Sequence, residues 1–332
     1  MAARPRLDVA LDRFRPAQGG REELAPPRPV AAWFGLLGLR ALARLPFRAI
    51  YGVAGALGWV AARLPLRPVR FAAVTIRTCF PQLSERSQQA LVRRSTVASA
   101  RAACEVGAFC TWPRDRVLGL VRDVRGLDLL EAAVAAGRGV ILAGPHLGAW
   151  ELVGLYCSSR FPFTALYRRP VDAALERFLA QGRARFGSRL APGTPGGLRT
   201  LARALASGEI VGLMPDQDPR RGAGVFVPFF GVLANTTTLV SRLAGRSGAP
   251  VILAFAERLP GGVGFRLHFR NASAAVSDAD LLTSVTALNA DIERLICDCP
   301  EQYLWSYKRF SVRPRGEENP YRRPAHAQTT AS

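Results

Sequence analysis

Three histidines, two methionines and a basic charge carried almost entirely by arginine set this 332-residue chain apart by what it is short of. His146, His268 and His326 have no local spacing that would gather them around one metal ion, so no metal site and no cofactor is expected. The six cysteines are scattered, and the one close pair, Cys297-Asp-Cys299, lacks the two-residue spacer and second pair of a zinc site. They read as free thiols of a reducing compartment. A secretory signal is missing as well: residues 1–29 are charged and proline-containing, with no apolar core, and read as a disordered polar leader. The charge-free run from Ala49 to Ala62 falls short of the roughly 20 residues that span a bilayer. Aromatic residues are not interleaved with basic ones in the register of a nucleic-acid groove, so no nucleic-acid partner is expected.

What is present is positive charge and apolar surface side by side. Lys+Arg 45 against Asp+Glu 25 gives a formal net charge of +20, which attracts polyanions. The basic stretches border apolar ones, and this favours an anionic membrane surface. In residues 30–64, Arg40, Arg44 and Arg48 recur at four-residue spacing, Pro46 breaks the helical pattern, and Trp33, Phe34, Leu36 and Leu37 supply apolar surface. That is the pattern of helices lying in a membrane interface. An ordinary hydrophobic hairpin packed on the protein's own core is the alternative.

From about Pro68 to Gly137 the pattern is helical, with Ser84 as N-cap of the stretch that follows it. The register then changes. "GRGVILAG", "FPFTALYR", "GEIVGLMPD" and "GAPVILAFAERL" are short apolar runs bounded by Gly or Pro and separated by helical segments. This predicts an α/β fold with a mostly parallel central sheet flanked by helices, preceded by the N-terminal membrane-associated helical region. "GFRLHFRNA" alternates like a strand nearer a sheet edge. The expected layout is a leader at 1–29, a membrane-associated helical segment at 30–64, one catalytic domain at 65–313 and a disordered tail at 314–332.

Reactive groups in an open α/β sheet gather where strands end and helices begin. In "GVILAGPHLGAWELVGLYCSS", His146 falls at such a place, with Glu151 five residues on. Residues five apart on a continuous helix do not face each other, so a cooperating pair needs His146 in the turn before the helix, with Gly148 allowing the bend. A carboxylate on one imidazole nitrogen would then fix the tautomer while the other nitrogen takes a proton from a hydroxyl. A helix-start histidine beside an unrelated surface glutamate is the bland alternative.

"GPHLGAWEL" resembles the His-x4-Asp/Glu block of the glycerolipid and lysophospholipid acyltransferase superfamily, in the form found in bacterial lipid A biosynthesis (late) acyltransferases. "TCFPQLSERSQQ", "LYRRPVDAALERFLAQGRARFG", "GLMPDQDPRRGAGVFVPFFGVLANTTT" and "PEQYLWSYKRF" resemble further blocks of that family in the same order, over about residues 30–311. Where the family commonly has an Asn-Leu pair, this chain has Thr75-Ile76. The resemblance implies direct acyl transfer from an acyl thioester, on acyl carrier protein or CoA, to a hydroxyl of a lipid A precursor or related glycolipid. It implies His146 as general base oriented by Glu151, at the cytoplasmic face of a bacterial inner membrane.

Arg168 is the candidate for phosphate or oxyanion contact, with Arg183 and Arg185 as further anion-binding candidates. Asp216 and Asp218 follow a strand expected to end at the same sheet edge and are candidates for positioning the acceptor; an Asx-stabilised turn is their alternative. Phe229 and Phe230 would wall an acyl groove or sit in the core, and Trp305 and Arg309 would reach the site or pack. Mannosylated phosphatidylinositol is the alternative acceptor, and a catalytically silent membrane scaffold the alternative class.

Overall fold

The computed structural model describes residues 29–167, 172–219 and 224–322. Four helices come first: α1 (Pro29–Leu42), α2 (Phe47–Ala61), α3 (Arg67–Cys79) and the long α4 (Glu85–Thr111). Pro46 separates α1 from α2, and the Ser84 hydroxyl caps α4 by accepting from the Ser87 N–H at 3.3 Å. Small residues set how closely these helices approach. A Cβ on Gly58 would lie 2.6 Å from the Val97 Cα, and one on Gly107 would lie 2.6 Å from the Leu39 carbonyl oxygen. No helix among the described residues is long and apolar enough to cross a membrane.

The rest of the chain alternates strand and helix: α5 (Arg114–Leu118), β1 (Val121–Arg125), α6 (Leu127–Ala135), β2 (Val140–Ala143), α7 (Trp150–Ser158), β3 (Phe163–Tyr167), α8 (Ala173–Ala184), β4 (Arg189–Pro192), α9 (Pro195–Ala206) and β5 (Ile210–Leu213). A hairpin β6 (Gly224–Phe229) and β7 (Val232–Thr237), α10 (Leu239–Ser247), β8 (Val251–Arg258), β9 (Phe265–Asn271) and α11 (Leu281–Asp298) complete it. Seven strands form one sheet in the order β1-β9-β8-β2-β5-β3-β4. The run from β8 to β4 is parallel, and β9 turns antiparallel against β8 with β1 parallel to β9 at the edge.

Strand side chains alternate between faces, which explains why the central strands read as unbroken apolar runs. Val140, Leu142, Ile210, Ile252 and Ala254 enter a core with α2, α4 and α7, whereas Ile141, Ala143, Val211, Leu213 and Leu253 enter a second core with α3, α9, α10 and α11. A sheet buried on both faces has no room for polar alternation.

Three features depart from the expected layout. β1 lies inside the stretch expected to be helical throughout, because its alternation is short and half-buried. "GVFVPF" is the first strand of a two-stranded hairpin whose turn, Phe230-Gly231, has φ of 49° and 75°. Within the tail expected to be disordered from Pro314, the described residues to Arg322 pack on the fold: Tyr321 is buried edge-on to Phe71 and its hydroxyl meets that of Thr75 at 3.0 Å; residues 323–332 lie outside the described residues.

Candidate active site

Two neighbouring strands deliver the chemistry. β2 and β5 pair in parallel with Ala143 opposite Leu213, and each continues through a short segment with proline at its second position, Gly144-Pro145-His146 and Met214-Pro215-Asp216. Equal lengths beyond a shared register bring His146 and Asp216 together at the carboxyl edge of the sheet. The Asp216 carboxylate accepts from the His146 backbone N–H at 2.9 Å through one oxygen and meets His146 Nδ1 at 2.8 Å through the other. His146 lies in the turn ahead of α7, as its chemistry requires. Gly148 makes that turn possible: its φ is 60°, and a Cβ there would sit 1.9 Å from the Ala256 carbonyl oxygen.

The imidazole partner is therefore Asp216, and this corrects the expectation that Glu151 would hold the ring. Glu151 stands in the first turn of α7, where both its carboxylate oxygens accept from Arg183 of α8, Nε at 2.9 Å and an Nη as well. A bidentate clamp of this kind leaves Glu151 committed to a cation. Arg183 also lies over the Tyr167 ring at 5.1 Å. Burial disfavours its charge, yet the Glu151 carboxylate more than offsets this and holds Arg183 above its ordinary value. For Asp216, burial alone would raise the carboxyl. The His146 charge and the two His146 hydrogen bonds outweigh it and hold Asp216 below the usual carboxylate range.

His146, Glu151, Arg183 and Gln217 face a cavity of about 350 Å³ that runs inward under α7 between Val153, Leu155, Phe163 and Ala165. Its lining combines these polar groups with apolar side chains. The remaining candidates divide around it. Asp218 touches the cavity wall, but its carboxylate accepts from the buried Arg309 at 3.1 Å and from the Ser311 hydroxyl at 2.9 Å, so it fastens the C-terminal segment. Arg185 lies away from the cavity and donates to the Cys110 carbonyl at 2.9 Å and to that of Trp112, closing the end of α4. Arg168 lies outside the described residues. Phe229 and Trp305 are core residues, and Phe230 packs on Phe80 at 4.9 Å; none lines the cavity.

The segment after α11 contributes what the motif reading missed. Gln302 to Leu304 runs antiparallel along the catalytic turn: the Gly148 N–H donates to the Gln302 carbonyl at 3.1 Å, and the Leu304 N–H to that of His146 at 3.0 Å. Between them stands the buried Tyr303; burial, followed by the nearby Asp216 charge, raises its hydroxyl pKa well above the ordinary value. Gln302 also ties in the buried Arg258, which pairs with Glu105 of α4 at 2.5 and 2.8 Å. Gln217 was overlooked too, although its amide nitrogen lies 3.2 Å from His146 Nε2. Strand end, one residue, proline and a polar residue occur twice, as "AGPH" and "LMPD", and that repetition was the available signal for Asp216 as partner.

An imidazole whose Nδ1 is held by a buried carboxylate presents Nε2 as a base. Arg183, fixed by Glu151, and apolar side chains line the same cavity. A family model for bacterial lipid A biosynthesis acyltransferases matches residues 18–311. A lipid A biosynthesis palmitoleoyltransferase of Escherichia coli (strain K12) is 33% identical over 303 residues, covering 90% of this chain and 97% of that protein. A lipid A biosynthesis lauroyltransferase of the same strain is 29% identical over 299 residues, again with 90% and 97% covered. A phosphatidylinositol mannoside acyltransferase of Mycolicibacterium smegmatis is 32% identical over 163 residues, 48% of this chain and 53% of that protein.

Proposed function

The chain belongs to the bacterial lipid A biosynthesis acyltransferase family and is an acyltransferase, and from this we propose that His146 and Asp216 drive transfer of a fatty acyl chain to a glycolipid hydroxyl. The names of the relatives support a lipid A precursor as acceptor. His146 Nε2 takes the proton of the acceptor hydroxyl, and Asp216 stabilises the imidazolium that forms. The alkoxide attacks the thioester carbonyl, the tetrahedral oxyanion collapses, and the imidazolium returns its proton to the departing thiolate. No covalent enzyme intermediate is required.

The oxyanion needs donors aimed at it. The backbone N–H groups of His146, Leu147, Gly148 and Ala149 are all bonded within the protein, so the turn itself does not supply them. Arg183, pinned by Glu151 at the cavity wall, is the donor in this reading. Glu151 therefore matters by holding Arg183, not the imidazole. The apolar side chains Val153, Leu155, Phe163 and Ala165 of the cavity receive the acyl chain of the donor, carried by acyl carrier protein or CoA.

Trp33, Phe34, Leu57 and Trp59 on α1 and α2 each expose more than half of their surface, and Arg40, Arg44 and Arg48 are exposed among them. Apolar and cationic groups together suit an anionic bilayer, here the cytoplasmic face of the inner membrane. The partial match to the mannoside acyltransferase favours a second acceptor class, mannosylated phosphatidylinositol, with the same chemistry.

The observation that carries the reading is that His146, held by Asp216, faces a cavity lined by both polar and apolar side chains. Purified protein incubated with acyl carrier protein thioesters and a lipid A precursor should give a product heavier by one acyl chain in mass spectrometry. His146→Ala should give none. Acylation of the mannolipid alone would move the assignment to the second acceptor.

A further inference from the structure

We propose that Gln217 guards the base: in the empty enzyme its side-chain amide occupies His146 Nε2 and keeps water from being activated there, and the acceptor hydroxyl must displace it. This rests on the reading of His146 as general base. In the neutral imidazole that serves as base, with Asp216 accepting at Nδ1, the proton resides there and Nε2 is left as an acceptor with one lone pair. The atom facing it, 3.2 Å away, is the Gln217 amide nitrogen, which donates. One lone pair serves one donor. A hydroxyl about to lose its proton must sit where the Gln217 amide sits.

The arrangement answers a problem built into the chemistry. An acyl thioester in the cavity is open to attack by any nucleophile that His146 can deprotonate. Water attack would give a carboxylic acid and a thiol, with the water proton passing through His146 to the leaving thiolate, and would waste the donor. Gln217 is half-buried and lines the cavity beside His146, so it stands between the base and solvent. Because an amide holds a neutral imidazole by one ordinary hydrogen bond, a well-placed acceptor can displace it while a mobile water gains little by doing so.

The experiment measures turnover of an acyl carrier protein thioester without acceptor, and the partition between hydrolysis and transfer with a lipid A precursor present, in wild type, Gln217→Ala and Gln217→Asn. The asparagine keeps the polarity but lacks the reach. Both variants should raise hydrolysis roughly tenfold, the equivalent of about 1.4 kcal/mol, and shift the partition toward free acid. The gain should vanish when His146→Ala is added. As a readout free of substrate, acylation of His146 by diethyl pyrocarbonate, followed by peptide mass spectrometry, should quicken by a similar factor. Hydrolysis and His146 reactivity both unchanged, in variants that melt like wild type, would overturn the proposal. So would extra hydrolysis that persists without His146. Failure of the general-base reading looks different: His146→Ala alone would then retain transfer.

Discussion

Asp216 is held by the His146 ring and the His146 backbone N–H, with the buried Tyr303 hydroxyl nearby, so its carboxylate is fixed before any substrate arrives. A buried carboxylate with that many donors stays ionised and serves as a preset counter-charge for the imidazolium. Tyr303 acts through Asp216 and is a positioning residue. Tyr303→Phe keeps the ring, which packs edge-on to Trp305 at 4.8 Å, and removes the hydroxyl beside the Asp216 charge. A hydrogen bond to a charged group contributes about 1.5–3 kcal/mol. Steady-state kinetics should therefore show kcat lowered roughly 10- to 100-fold with KM little changed. A rise in KM at constant kcat would assign Tyr303 to substrate binding instead.

At the scale of elements, the site is assembled from two parallel strand ends and a returning C-terminal segment. Arg309 anchors that segment: its guanidinium, 1% exposed, donates to Asp218, to the Asn235 carbonyl at 2.6 Å and to the Thr236 hydroxyl at 2.6 Å. Breaking a buried pair from one side leaves an uncompensated charge and costs about 3–5 kcal/mol. Arg309→Met should lower the unfolding free energy by that amount in urea titrations, and Asp218→Asn added to it should recover part of the loss. Recovery of nothing would mean that Arg309 acts through its carbonyl and hydroxyl bonds alone. This segment also marks where sequence reading stops. β2, β3, β5 and β8 were legible because apolar runs between Gly and Pro admit few other readings. His146 was legible from its place after β2. The Asp216 partnership depends on strand order, β2 beside β5, which no local pattern encodes, and the Gln302–Leu304 pairing bridges more than 150 residues of chain. The spacing of His146 and Glu151 suggested a bond because they are near in sequence; α8 instead brings Arg183 to Glu151.

For the whole molecule, the proposed bilayer docking rests on charge and apolar surface together. The net charge of +20 suits an anionic bilayer, and exposed Trp33, Phe34, Leu57 and Trp59 would enter its interface. Replacing Arg40, Arg44 and Arg48 together with Gln should weaken vesicle binding in sedimentation assays, more on anionic than on neutral lipid, since each cation near such a surface contributes about 1 kcal/mol. Equal loss on both lipids would return this segment to a purely structural role. In the proposed mechanism His146 and Asp216 work as one unit at the cavity while Glu151 holds Arg183. The most direct measurement is a double-mutant cycle on kcat/KM with His146→Ala, Asp216→Asn and both. General-base catalysis contributes about 10²–10⁴-fold, and members of one unit lose it once. The double variant should therefore be within about threefold of the poorer single one. Losses that multiply would mean that the two residues act independently and would contradict the account.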